Sequence, residues 1–443
     1  MKPTCLLIAT AIMAFATFDA SAVVFPMPAT IHVFSGPPDG STPWSGLTPG
    51  PNGSFYGTTY QGGSGGCVNG QGTVIGCGAV YQLSPVAGGS WQVSVIYSFQ
   101  GGTDGANPLG GALVYASGVL IGTTGRGGTA NGGTAYKLVQ GTSGWSETVI
   151  HTFGVGRDGA YPQSILVADS HGVLYGTTTN GGSHNGMGTV YELIPPPAGR
   201  TAWTEKVLFN FNGGGYGSYP YAGLTPDGKG GYYGTTLYGG ARRCTTPDGT
   251  QPVINGCGVV FDLSPPATGS TAWTIADVHA FMGGKDGQGP LAGVTLDPSG
   301  NLYGTTSAGG GLGGNTCINP GGVQIGCGVA YQLKPPAAGS KAWIETILYR
   351  FDQTDPEPFA GLTLNPATGA VYGVTSGMKN LSPGSIFELQ PPAKGKIWSF
   401  ASYNFGGANG NEPIGNLLLS GGVLYGTTAY GGSGIGTIFT VTP

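Results

Sequence analysis

The stretch that decides the fold is His171–Leu193, HGVLYGTTTNGGSHNGMGTVYEL, in which a YGTT tetrapeptide is followed by a glycine-rich loop and an alternating segment. The tetrapeptide or a close variant occurs seven times, at spacings of 65, 54, 58, 70, 69 and 53 residues. Its copies begin at Tyr56, Ile121, Tyr175, Tyr233, Tyr303, Tyr372 and Tyr425. Self-similarity at such a period indicates a repeat architecture.

Each copy also has a proline upstream, and six copies have a segment that runs from Trp to Phe. The prolines are Pro43, Pro108, Pro162, Pro220, Pro290, Pro358 and Pro413. The tryptophans are Trp91, Trp145, Trp203, Trp273, Trp343 and Trp398, and Phe follows the first five after eight residues and the sixth after seven. We therefore expect every repeat to adopt the same structure.

One repeat contains four candidate strands, which we name A to D. The clearest are Leu291–Leu296, Asn301–Thr306, Gly328–Leu333 and Trp343–Phe351. Four antiparallel strands per repeat of this length are typical of a propeller blade, whereas the coils of a β-solenoid, the alternative, have shorter periods. The sequence therefore predicts an all-β, seven-bladed β-propeller of four-stranded antiparallel blades.

The two ends of the chain predict how the ring closes. After the seventh tetrapeptide the sequence reaches strand C, Thr437–Val441, without a following strand D. Near the N-terminus, Thr30–Phe34 matches the end of a strand D and is followed by a connector. We expect this N-terminal strand to complete the last blade, which removes two open sheet edges.

Composition excludes several classes of protein. The chain has 89 glycines and 33 prolines, only 8% charged residues and a net charge of −4. Because nucleic-acid binding needs many basic side chains for the phosphates, 16 dispersed Lys and Arg residues exclude it. Apart from the N-terminal segment no apolar run approaches a membrane span, and we expect a monomer without cofactors.

The N-terminus resembles an export signal. Lys2 precedes an apolar stretch, Cys5–Phe18, and Ala20-Ser21-Ala22 has the small-residue pattern of a cleavage site. We predict a signal peptide over residues 1–22, cleavage near Ala22, a single propeller domain over residues 23–443, and a secreted, extracellular or periplasmic location.

Six cysteines remain after cleavage, in three B–C loops. They form the pairs Cys67/Cys77, Cys244/Cys257 and Cys317/Cys327, each inside one of the three longest repeats. Zinc is the competing interpretation, but these loops have no CxxC spacing and no nearby histidine. We predict three local disulfides, of the kind that persist in exported proteins.

The strand order predicts which face of the propeller is functional. The B–C and D–A loops share one face and are longer and more variable than the loops of the other, and such loops on a rigid scaffold commonly carry function. Candidate ligand-binding residues there are Tyr60, Arg126, Asn180, Tyr238 and Tyr430 after the tetrapeptides, with Asp104, Asp158 and Asp286 in the connectors. For the aspartates a turn role, in which the side chain bonds its own backbone, is the stronger interpretation.

No catalytic or metal-binding motif is apparent. There is no GxSxG or HExxH motif, and the calcium-binding loop spacings are absent. His151 and His279 fall in strand D, where we expect them on the outer blade surface. The connector aspartates would form carboxylate pairs only if neighbouring blades brought them together.

The combination of the LYGTT tetrapeptide, the following GG, the GTV[FY]xL segment, the Trp-to-Phe strand and the GGxDGxxP connector resembles the GloVer-type tandem repeat family of exported bacterial proteins. The resemblance covers roughly residues 31–443 and implies a surface or secreted protein, without implying an activity or catalytic residues.

Three functions remain open. The first is a non-enzymatic module that binds extracellular glycan or protein on the B–C/D–A face. The second is a polysaccharide hydrolase or lyase with carboxylates at the axis, and the third is a structural envelope or matrix protein. Runs such as Leu291–Val294, LAGV, suggest an axis lined by small apolar residues, which favours binding over catalysis.

Overall fold

The computed structural model describes residues 25–443 except 185, 241–243, 247–254, 312–316, 319–323, 378–381, 394–396 and 433, so the predicted signal peptide lies outside the described residues. Within them, the chain forms seven four-stranded antiparallel sheets with strand order A-B-C-D. The predicted seven-bladed β-propeller is therefore confirmed.

The strands of the blades, in the order A to D, have the following bounds. Blade 1 comprises Thr48–Pro49, Phe55–Thr59, Ala79–Pro85 and Trp91–Ser98, and blade 2 comprises Ala112–Ala116, Val119–Thr124, Thr134–Gly141 and Gly144–Thr152. Blade 3 comprises Val167–Ala168, Leu174–Thr178, Thr189–Ile194 and Thr204–Asn210, and blade 4 comprises Thr225–Pro226, Tyr232–Thr236, Val259–Ser264 and Thr274–Ala280. Blade 5 comprises Thr295–Leu296, Leu302–Thr306, Val329–Lys334 and Ile344–Arg350, and blade 6 comprises Thr363–Leu364, Val371–Thr375, Ser385–Gln390 and Ser399–Asn404. Blade 7 comprises Leu418–Ser420, Val423–Thr428, Thr437–Val441 and Ala29–Val33.

Short elements complete the chain. Gly159–Ala160 pairs with Asn180–Gly181 in a two-stranded ladder. Three single-turn 3₁₀ helices occupy Pro51–Gly53, Gly102–Asp104 and Gly407–Asn409 in the described part of the chain. No helix among the described residues has the length and apolar character needed to cross a membrane.

The ring closes as the chain ends predict. Ala29–Val33 pairs antiparallel with Thr437–Val441, and Thr30 lies opposite Phe439. The first strand of the described chain is therefore the outer strand of the last blade, and the circle of blades is held by backbone hydrogen bonds between the two ends.

The YGTT tetrapeptide is explained by three different contacts. A Cβ on Gly304 would lie 2.3 Å from the Tyr331 hydroxyl, so only glycine lets the strand C ring cross strand B. The first Thr joins neighbouring blades, since Thr235 Oγ1 donates to the carbonyl of Ala292, just before strand A of the next blade, at 3.0 Å. The second Thr hydroxyl lies beside strand C, as between Thr178 and Thr189 at 2.8 Å.

Strand A is shorter than the sequence predicts. In blade 5 only Thr295–Leu296 pairs with strand B, whereas the predicted strand was Leu291–Leu296. The preceding residues run along the axis, where neighbouring blades approach closely: a Cβ on Gly46 would be 2.3 Å from the Asn416 carbonyl oxygen. Their carbonyl groups are satisfied by threonine side chains of the neighbouring blade rather than by a ladder.

The three predicted disulfides are present. They join Cys67 to Cys77, Cys244 to Cys257 and Cys317 to Cys327, with Cα atoms 5.0, 5.5 and 5.0 Å apart. Each closes a loop within one blade, so the disulfides brace the loops of one face and no blade is joined to another by them.

Candidate functional site

The B–C and D–A loops form one continuous face, because backbone hydrogen bonds join them within each blade. Tyr60 N donates to the carbonyl of Thr42 at 3.0 Å, and Tyr238 N donates to the carbonyl of Ser218 at 3.2 Å. The other predicted residues after the tetrapeptides, Arg126, Asn180 and Tyr430, pair with the connector of their own blade in the same way. The structure therefore places all five on this face.

A ring of seven side chains surrounds the propeller axis at this face. They are the residues that follow the seven prolines: Trp44, Leu109, Gln163, Tyr221, Leu291, Phe359 and Ile414. Two residues further along the chain, several blades have a glycine that also lines the cavity, as at Gly46, Gly223 and Gly293. The result is a cavity of about 320 Å³ whose mouth is lined by these seven mostly apolar and aromatic side chains. Among the described residues that line it, none is Asp or Glu.

This ring was not predicted from the sequence, although the sequence contains a signal for it. The prediction of a small apolar axis describes the glycine positions, but not the residue directly after each proline. Because side chains of an extended backbone alternate between two sides, a residue between a buried proline and another buried residue points the other way from both, which here is toward the axis. Pro220, Tyr221 and Ala222 show this alternation, since the first and third are buried and Tyr221 is half-buried.

Aromatic side chains extend outward from the ring in two directions. Tyr60 stacks on Trp44 with ring centroids 5.1 Å apart and planes 16° from parallel. Tyr430, in the neighbouring blade, is 41% exposed, and its pKa is raised by burial, then by Glu412 and Tyr60. The predicted Tyr60 and Tyr430 are therefore brought together beside the axial mouth.

The second direction leads along blade 4. Tyr238 meets Tyr219 edge-to-face at 6.0 Å, and both line a pocket of about 830 Å³ between blades 3 and 4. The pKa of Tyr221 is raised by burial and then by Tyr238 and Tyr219, so the three rings are neighbours. Asp277 supplies a carboxylate to the outer pocket, and burial raises its pKa. Glycine backbone makes up most of the remaining wall.

The predicted connector aspartates bond their own turns. Asp104 accepts from the amide of Gln100 at 2.6 Å, and Asp286 accepts from that of Met282 at 2.6 Å. Asp158 accepts from Gly159 N at 2.7 Å. None of the three lines either pocket described above.

Each of these aspartates also meets a glutamate of the next blade, which the sequence analysis missed. The partners lie two residues after a tryptophan, in strand D of the next blade: Glu147, Glu205 and Glu345. Burial, and then Asp104, raises the pKa of Glu147 to about 7. Burial and Asp158 likewise raise the pKa of Glu205 to about 7. The aspartates do not pair with one another, and the available signal was the recurrence of Glu at one repeat position.

Two of these clusters contain a histidine from strand D. His151 Nε2 lies 3.0 Å from Asp158 Oδ2, within hydrogen-bonding geometry. His279 Nε2 lies 3.3 Å from Asp286 Oδ1 and 3.7 Å from Glu345 Oε1. The His279 and His151 side chains are only 17% and 20% exposed, so the expectation of an outer-surface position is wrong: their rings are enclosed between blades.

The repeat that builds this face matches a known family profile. Residues 66–318 match the Gloeobacter/Verrucomicrobia repeat, which is more than half of the chain. The chain belongs to the Gloeobacter/Verrucomicrobia repeat family. This confirms the resemblance seen in the sequence. No curated protein matches the chain by sequence.

Several solved structures match the chain at low identity. A putative 6-phosphogluconolactonase from Bacteroides uniformis is 11% identical, with a TM-score of 0.47, covering 83% of this chain and 86% of its own. A PL25 ulvan lyase is 11% identical, with a TM-score of 0.48 and coverages of 94% and 92%. The PQQ-bound aldose sugar dehydrogenase of Streptomyces coelicolor is 12% identical, with a TM-score of 0.39 and coverages of 94% and 98%. At these TM-scores the similarity carries no inference about this chain.

Proposed function

We propose that this protein is an exported, non-enzymatic binding propeller that recognises extracellular glycan on its B–C/D–A face. The observation that carries the proposal is the aromatic path from the axial mouth to the outer pocket of blade 4. Tyr221 lies in the mouth, while Tyr219 and Tyr238 line the outer pocket. An extended ligand lying across this face would meet aromatic rings along its length.

The chemistry of the path suits sugars. Aromatic rings pack against the apolar C–H faces of pyranose rings, while a few polar groups fix their orientation. Asp277 and Asn255 supply a carboxylate and an amide at the outer pocket, and Gln163 supplies an amide at the mouth. Trp44 Nε1 is buried without a hydrogen-bond partner, although its ring lines the mouth.

Binding accounts for this site better than hydrolysis or lyase chemistry. General acid–base catalysis needs two positioned titratable groups near one pocket. Among the described lining residues of the two pockets, Asp277 is the only carboxylate. The three Asp–Glu pairs described above each join a D–A connector to strand D of the next blade, and none of their residues lines either pocket. Export is supported by the predicted signal over residues 1–22 and by the three disulfides, which persist in oxidising compartments.

The test is glycan-array binding by the mature protein, compared with the double variant Tyr221→Ala/Tyr238→Ala. We expect binding to fall by at least about tenfold, because each ring would contribute roughly 1 kcal/mol of stacking. Ile397→Ala, an 87% exposed apolar residue before strand D on the opposite face, is the matched control and should bind normally.

Three outcomes would contradict the proposal. They are an absence of binding to any glycan, retained binding in the double variant, and release of new reducing or unsaturated ends from a bound polysaccharide. Near-ultraviolet circular dichroism of the variants separates loss of the site from loss of the fold.

A further inference from the structure

The junction between blades 4 and 5 brings three metal-binding side chains to one point. His279 comes from strand D of blade 4, Asp286 from the following connector, and Glu345 from strand D of blade 5. One donor atom from each residue lies within 4.8 Å of the other two. In the described part of the chain, no other set of three His, Cys, Asp or Glu side chains meets in this way.

The donor atoms are buried and incompletely satisfied. His279 Nε2 and Glu345 Oε1 are both shielded from solvent, and neither has a hydrogen-bond partner. His279 Nε2 is 3.3 Å from Asp286 Oδ1, but the ring nitrogen is not aligned for a hydrogen bond to it. In contrast, His151 makes that bond to Asp158 at the equivalent repeat positions. Buried unsatisfied groups cost free energy and need an explanation.

The two nitrogen-to-oxygen separations are close to those between the ligands of a tetrahedral cation. Zinc binds imidazole nitrogen and carboxylate oxygen at about 2.0–2.2 Å, which places neighbouring tetrahedral ligands roughly 3.3–3.6 Å apart. The observed nitrogen-to-oxygen distances are 3.3 and 3.7 Å. Calcium, by contrast, prefers six to eight oxygen ligands, roughly twice what this cluster offers.

We propose that His279, Asp286 and Glu345 bind a divalent transition-metal ion of the zinc class, which joins blades 4 and 5. Water would fill the fourth position. Asp286 is held for this role by the amide of Met282, which donates to its other oxygen. The ion would satisfy the buried Nε2 and Oε1 atoms, and it would connect two blades that no disulfide joins.

One cation, the Arg350 guanidinium, lies near this site, and its hydrogen bonds limit its competition with a metal ion. The Arg350 guanidinium donates to the carbonyls of Lys285 and Gly310, so it is engaged by backbone rather than paired with Glu345. Burial raises the pKa of Glu345 to about 9, and a hydrogen bond to Asp286 and the negative charge of Asp286 add to this rise. Without metal, a proton on Glu345 can be donated to Asp286, and zinc would displace that proton.

The variant Glu345→Gln is suited to the test because an amide can still donate to Asp286 while it loses the ligand charge. The mature protein, with its disulfides intact and freed of metal, is titrated with ZnCl₂ by calorimetry. We expect one zinc per chain, and binding weakened at least about tenfold in Glu345→Gln and in His279→Asn. At metal sites, mutating residues that only hydrogen-bond the ligands already weakens metal affinity about 10–100-fold, so loss of a ligand should cost at least as much.

Glu205→Gln is the matched control. It makes the same change in the blade 2–3 cluster, where His151 already bonds Asp158. Its zinc affinity should equal that of the unchanged protein. The proposal is overturned if no zinc binds, if Glu345→Gln binds zinc normally, if Glu205→Gln weakens zinc equally, or if calcium binds in preference to zinc. Thermal unfolding without metal shows whether each variant is folded.

Discussion

The blade 4–5 and blade 5–6 junctions use the same repeat positions for opposite chemistry. Between blades 4 and 5 these positions hold His279 and Glu345, whose polar atoms are 3.7 Å apart. Between blades 5 and 6 they hold Tyr349 and Phe400, whose rings stack at 3.8 Å and 5° from parallel. Blades 4 and 5 share a β-bulge in the C–D pairing that blade 6 lacks. Before the bulge the pairing is equivalent, since Glu345 lies opposite Leu333 and Phe400 lies opposite Leu389.

The difference shows that the propeller does not need polar groups at this position. A stacked aromatic pair closes one junction, and the blades on both sides keep the same sheet order. A buried charged cluster is weak evidence for stability, because desolvation offsets much of the attraction between the charges. We therefore interpret the His279 cluster as a binding site and the Tyr349–Phe400 contact as packing that stabilises the fold.

The largest effect is expected at the aromatic junction. Phe400→Ala should reduce the free energy of unfolding by about 3 kcal/mol, because it removes the stack on Tyr349 and leaves a cavity beside Phe387. Urea unfolding followed by circular dichroism measures the loss. Phe400→Leu, the control that keeps apolar volume, should cost about 1 kcal/mol. A loss below 1 kcal/mol in Phe400→Ala would show that the Tyr349–Phe400 contact contributes little to folding stability, which contradicts its interpretation as packing.

The next effect is a pH dependence above pH 7, where Glu345 of the polar junction contributes and where Glu147 and Glu205, with pKa values of about 7, have largely ionised. The Glu345 pKa of about 9 lies above its ordinary value of 4.5, so the folded state keeps a proton that the unfolded chain releases. Stability from this group is complete below pH 4.5 and is lost as the pH rises toward 9. Between pH 7 and 9 we expect the free energy of unfolding to fall by up to about 1.4 kcal/mol per pH unit.

Urea unfolding in EDTA at pH 6, 7, 8 and 9 measures this slope. Glu345→Gln should lose most of it, since an amide does not titrate, while Phe400→Leu should keep it. Equal slopes in the unchanged protein and in Glu345→Gln would show that Glu345 is ionised in the folded state across this range.

The smallest effect is expected when one junction is converted into the other. The double variant His279→Tyr/Glu345→Phe places the aromatic pair of the blade 5–6 junction between blades 4 and 5. A tyrosine at this position can donate to the connector aspartate, as Tyr97 does to Asp104 at 2.5 Å. We expect the free energy of unfolding at pH 6, without metal, to change by less than about 1 kcal/mol.

The same variant should no longer bind zinc. A loss of more than 3 kcal/mol in its folding stability would mean that the polar cluster itself holds blades 4 and 5 together. Both junctions would then stabilise the fold, despite their different side chains.

The sequence alone determined the parts of the molecule that depend on local or periodic information. The seven YGTT copies specify seven blades, the unmatched Thr30–Phe34 specifies the closing strand, and each cysteine pair falls within one loop. Each of these follows from residues that are close in the chain or repeated along it. Local pairing and repetition can be read without coordinates.

Only the tertiary structure decided which side chains meet between blades. Asp286 and Glu345 are separated by a whole repeat, and they touch because adjacent blades place strand D against the preceding connector. The ring from Trp44 to Ile414 exists for the same reason, since seven distant residues converge only when the blades close around an axis. Charge, burial and distance at these points depend on how the blades pack, and that information is absent from any single repeat.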